Sequence, residues 1–118
     1  MENNLLYLRK NSKTTKKMLA FFLNVSVYTY TGYENNRLTI PPEVVSMLIM
    51  LFNLPKNAFF EQIENNIEAN NQIKSLSNLT EQEKEKLFIF RLTGKSYEKI
   101  SYHQINTIKK HLRQTMES

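Results

Sequence analysis

The chain has 118 residues, a net charge of +5 and no cysteine. That length fits one domain, or one small domain with an appendage, and 41% hydrophobic residues suffice for a core. Disulfides and thiolate metal sites are excluded, and two histidines, His103 and His111, are too few for a histidine metal cluster. No apolar run reaches the roughly 18 residues of a membrane span, so no membrane partner is expected. The opening Met-Glu-Asn-Asn lacks the basic and apolar layout of a secretory leader, which makes a reducing cytoplasm the expected location.

Charge is distributed unevenly. Residues 1–60 carry seven Lys/Arg against three Asp/Glu, residues 61–86 three against six, and residues 87–118 six against two. Basic blocks suit a polyanion such as DNA, and they equally suit an ordinary solvated surface.

Two glycines and three prolines punctuate the chain, helical periodicity recurs and strand-like alternation is scarce, so the expected fold class is all-α. Helix 1 is expected over Asn4 to about Asn11, with Leu5 and Leu8 inward. Helix 2 runs from a Thr15 cap to about Leu23, with Leu19, Ala20 and Leu23 on one face. Helix 3 is capped by Ser26 and ends near Glu34, with Tyr30 and Tyr33 inward. Pro41-Pro42 opens helix 4, whose buried stripe is Val44, Val45, Leu48, Leu51 and Phe52. Helix 5 is expected to begin near Pro55 and to carry Phe59, Phe60 and Ile63. Residues 64–78, rich in asparagine and glutamate, read as a helix extension or a linker. Thr80-Glu-Gln-Glu83 is a capping-box pattern opening a helix to about Leu92, stopped at Gly94. Ser96 caps a short turn with Tyr97 and Ile100. A last helix carries the stripe Ile105, Ile108, Leu112 and Met116.

The helix–turn–helix layout around Asn24 sits within a longer pattern: Leu5, Tyr7-Leu-Arg9, Thr15-Lys16, Leu19-Ala20, Leu23, Val25-Ser26, Tyr30, Tyr33-Glu34-Asn35 and Leu48, Leu51-Phe52-Asn53-Leu54. In this spacing residues 4–60, about half of the chain, resemble the Cro/C1-repressor-type (XRE family) helix-turn-helix domain. The resemblance implies a five-helix DNA-binding domain over residues 1–63, with helix 3 in the major groove of double-stranded DNA. It implies base-edge positions at Ser26, Val27, Tyr28, Thr31 and Gly32. Lys13, Lys16, Lys17, Asn35 and Arg37 would meet the DNA backbone. Arg9 and Glu34 match an internal ion pair of many relatives. Relatives often place glutamine or arginine at the base-reading positions. Val27, Tyr28 and Gly32 offer little of that chemistry, and Gly32 would serve by letting the backbone approach a phosphate.

Residues 79–118 are similar to a second helix-turn-helix of the sigma-factor region 4 or LuxR type, about two residues short between Ile100 and Ile108. That likeness implies a second DNA face at Lys109, Lys110 and Arg113. The competing reading is a dimerisation or packing appendage that buries the Ile105–Met116 stripe. No glycine-rich phosphate loop and no nucleophile–base arrangement stands out, so catalysis, a cofactor and a metal are not expected. The expected function is a sequence-specific transcriptional regulator of bacterial or phage type, a repressor acting as a homodimer. The alternative is a protein-interaction module, an antitoxin or phage-encoded inhibitor, that grips a protein partner through residues 61–118.

Overall fold

Each helix opens on a residue suited to that position. Asn3, Thr15, Ser26, Asn66 and Thr80 each accept a hydrogen bond from a backbone N–H of the first helical turn. Pro42, which has no N–H to leave unpaired, opens the helix that lacks such a cap. The computed structural model describes residues 3–55 and 57–94. The described residues form six α-helices and no strand: α1 Asn4–Ser12, α2 Lys16–Phe22, α3 Val27–Glu34, α4 Pro42–Phe52, α5 Ile67–Ser77 and α6 Glu81–Thr93. None of them is long and apolar enough to cross a membrane.

Most of the left-handed turn positions fall at residues that tolerate that backbone, Lys13 after α1 being the exception with φ of 57°. Asn24, Asn36 and Asn53 have φ of 58°, 63° and 50°, and Gly94 ends α6 at 75°. The expected inward faces are inward: Leu5, Leu8, Leu19, Ala20, Leu23, Tyr30, Tyr33, Val44, Val45, Leu48, Leu51 and Phe52 are all buried.

The structure departs from the sequence reading between α4 and α6. No α-helix starts at Pro55. Two 3-10 turns stand there instead, Ala58–Phe60 and Ile63–Asn65. The reason lies at the far end of the chain. The Asn4 side-chain amide donates to the carbonyls of Phe59 and Glu61, both at 2.6 Å, and its Oδ1 accepts from the Ile63 N–H at 3.4 Å. Those groups are thereby diverted from a continuous helical ladder.

Residues 64–78 are neither an extension of that segment nor a linker. Asn66 caps a separate helix, α5, with its side-chain oxygen 2.9 Å from the Ala69 N–H. Asn70 reaches the carbonyls of Ile63, Glu64 and Asn66, and its own oxygen accepts from the Tyr7 hydroxyl at 2.7 Å. These bonds hold α5 against α1, where Ala69, Ile73 and Leu76 are buried.

Helix α6 closes the core from the other side. The Phe88 ring meets Phe22 and Phe52 edge to face at 5.5 and 5.8 Å. Arg91 donates to the Leu51 carbonyl at 2.6 Å, and Lys84 donates to the Lys13 carbonyl at 2.5 Å. One continuous core therefore runs from Leu5 to Ile89, across the divisions expected at residues 63 and 78. The Ser96 turn, the Ile105–Met116 stripe, both histidines and Lys109, Lys110 and Arg113 lie outside the described residues.

Candidate nucleic-acid interface

Helix α3 is pinned at both ends and packed along one side. At its start the Ser26 hydroxyl accepts from the Thr29 N–H at 3.0 Å and donates to the Thr29 hydroxyl at 3.0 Å. The turn from α2 is closed by Asn24 N–H to the Phe21 carbonyl and Val25 N–H to the Ala20 carbonyl, at 3.1 and 3.0 Å. At its end Glu34 receives two bonds from Arg9, Nε to Oε2 at 2.6 Å and Nη2 to Oε1 at 3.0 Å. This fork is a strong, directional form of ion pair, and it ties α1 to α3. The hydrogen bond that Arg9 donates to Glu34 holds its guanidinium above the ordinary pKa. Beside the pair, the Tyr30 hydroxyl is buried and has no hydrogen-bond partner among the described residues. Burial, and after it the Glu34 carboxylate, push that hydroxyl far above the ordinary tyrosine range.

With that side fixed, the other side of α3 faces solvent. Val27 is 46% exposed and Tyr28 is 73% exposed. Thr31 is half-buried on the same helix. Two of the expected contact residues are committed to local structure. The Ser26 hydroxyl is engaged in the cap, and the Asn35 side-chain oxygen accepts from the Arg37 N–H at 3.0 Å.

Gly32 is not available for backbone approach to a phosphate. It is buried, and a Cβ there would lie 2.5 Å from Arg37 Nη2 and 2.8 Å from Leu38 Cδ1. Arg37 folds back from the α3–α4 loop over this glycine. Its guanidinium carbon sits 4.5 Å from the Tyr28 ring centre, and Nη2 donates to the Tyr28 carbonyl at 3.3 Å. Sequence reasoning missed this group. A stack between residues 28 and 37 follows neither helical spacing nor any motif, and the glycine at 32 was its one trace.

The lysines belong to another part of the surface. Lys13 is exposed in the α1–α2 turn, and Lys16 and Lys17 form the first turn of α2. Cations there oppose the helix dipole, which favours acids at that end. Helices α4, α5 and α6 follow the rule with Glu43, Glu68, and Glu81 with Glu83, while α1, α2 and α3 have no acid in the first turn. Between residues 3 and 42 the single carboxylate is Glu34, and Arg9 already holds it. That stretch therefore holds no second carboxylate. At its edge Lys17 lines a cleft of about 260 Å³ with Met18, Phe21, Glu81 and Glu85.

No family model, curated protein or solved structure matches the chain.

Proposed function

We propose that this chain is a sequence-specific, double-stranded DNA-binding regulator of the Cro/C1-repressor (XRE) type, with α3 as the element that enters the major groove. The observation that carries the reading is electrostatic. A helix–turn–helix presents an exposed outer face on α3 within a stretch whose one carboxylate is internally neutralised. Nucleic-acid binding draws most of its affinity from cations near phosphates, and an acid on that face would oppose it. The lysines at the start of α2 add weight, because local rules of helix stability are broken mainly where function requires it. Helices α1 to α4 keep the layout this reading needs, while two 3-10 turns replace the fifth helix expected near Pro55. A homodimer reading two half-sites about 34 Å apart is the assembly this function calls for.

The test is binding to duplex from the gene's own upstream region and to random duplex, at two salt concentrations. Tight binding to the upstream duplex that random DNA does not compete away is expected. Weak binding that vanishes equally on both as salt rises would overturn the reading. It would favour the second one, a module docking on a protein partner, which draws on the exposure of Phe60 and Ile67 at 74% and 80%.

A further inference from the structure

The outer face of α3 lacks a side chain able to make two hydrogen bonds to one base edge. Val27 offers only apolar contact, Tyr28 one hydroxyl, and Gly32 is covered. Resting on the duplex-DNA reading above, we propose that Arg37 supplies the missing group: seated on Gly32 and Tyr28, it reads a guanine in the major groove.

The geometry supports a base contact over a phosphate contact. The Arg37 head is carried from the loop to the level of Tyr28, the second residue of α3 and its most exposed one. Recognition helices meet base edges through their first turns. The guanidinium lies over the Tyr28 ring, so its position is set before any ligand arrives. One Nη2 hydrogen goes to the Tyr28 carbonyl. Of the five N–H donors of a guanidinium, the other four remain unbonded among the described residues. A fork of donors with no acceptor matches the paired acceptors O6 and N7 of guanine, and no other base edge in that groove shows two adjacent acceptors. Ordering the arginine beforehand removes part of the entropy cost of holding it at a base.

Gly32 is what makes this seat possible. In the helix the Tyr28 carbonyl serves the N–H four residues on, that of Gly32. A side chain at 32 would cover the carbonyl and occupy the place of Nη2. The three atoms it would crowd all belong to side chains, those of Arg37 and Leu38, and each of these residues is solvent-exposed. Gly32→Ala therefore displaces the arginine without removing it.

The experiment selects preferred duplexes from a random pool with the wild-type protein. It then replaces each selected guanine with 7-deazaguanine, which lacks the N7 acceptor. Arg37→Ala, Arg37→Lys and Gly32→Ala are measured on the same duplexes, with helical circular dichroism checking that each is folded. One guanine is expected whose 7-deaza form binds wild type about 5- to 150-fold more weakly. Arg37→Ala should bind both forms equally. Arg37→Lys should keep the salt dependence and weaken the discrimination, because an ammonium can reach O6 and N7 but lacks the rigid planar fork. Gly32→Ala should fold and lose discrimination at the same base. An enriched sequence without guanine, or undiminished discrimination in Arg37→Ala, would overturn this inference alone. No enrichment at all would overturn the duplex reading and this inference with it.

Discussion

The Arg9–Glu34 fork sets the attitude of α3, and its two members are unequally exposed, at 20% and 6% of the side chain. Removing one member strands the other, and the stranded group suffers in proportion to its burial. Arg9→Leu should therefore cost more than Glu34→Leu, about 3–5 kcal/mol for the former, read as a shift in the urea unfolding midpoint. Equal losses would mean that solvent reaches Glu34. The neighbouring Tyr30 makes a sharper test. In the unfolded chain its hydroxyl ionises near pH 10.0, whereas in the fold burial keeps it protonated. Its contribution is complete below pH 10 and falls as pH rises above it. Because the hydroxyl has no partner among the described residues, Tyr30→Phe should stay within about 1 kcal/mol of wild type at neutral pH. It should also lose less stability than wild type above pH 10, measured by unfolding across an alkaline series. The fork was legible in the sequence because it belongs to a pattern. The Tyr28–Arg37 stack was not, because nothing local requires it.

Among the elements, α6 is the one most fully encoded by its own residues. The Thr80 hydroxyl accepts from the Glu83 N–H at 3.1 Å, and Glu83 accepts from the Thr80 N–H at 2.9 Å. Thr80→Ala should cost about 1 kcal/mol, visible in thermal melting of the helical signal. The bond from the Thr80 backbone N–H, and after it the Thr80 side chain, hold the Glu83 carboxyl below its ordinary value. That support is complete above about pH 4.5 and fades as pH falls through the lowered folded value. A capping box is legible because four consecutive residues complete it. The 58–65 turns and α5 were illegible for the opposite reason. Asn4, 55 residues away, takes the Phe59 carbonyl, and Tyr7 takes Asn70 across 63 residues. Asparagines that read as linker composition are the ties that hold this layer.

At the scale of the molecule, the aromatic cluster decides how many units unfold. Phe88 is fully buried between Phe22 of α2 and Phe52 of α4. Phe88→Ala should lower stability by about 3–5 kcal/mol and keep a single transition, with circular dichroism and tyrosine fluorescence coincident. Two separated transitions would restore a boundary near residue 63 or 78. The all-helical character and the inward stripes of α1 to α4 were legible because each follows from periodicity within one helix. The single core was not, since composition changes near residue 61 while packing continues to Ile89.

The Lys84 amine offers a chemical clock for this assembly. Its residue is 4% exposed, its nitrogen is bonded to the Lys13 carbonyl, and burial lowers its pKa. A lowered pKa enlarges the fraction of free amine, the form that acylating reagents attack, yet packing keeps the reagent out. In pulse acylation read by mass spectrometry, exposed Lys13 and Lys17 should be modified in the native protein at once. Lys84 should be modified only as fast as α6 separates from the α1–α2 turn. Its labelling rate would thus time the opening of a contact that joins the turn after the first helix to the last described helix.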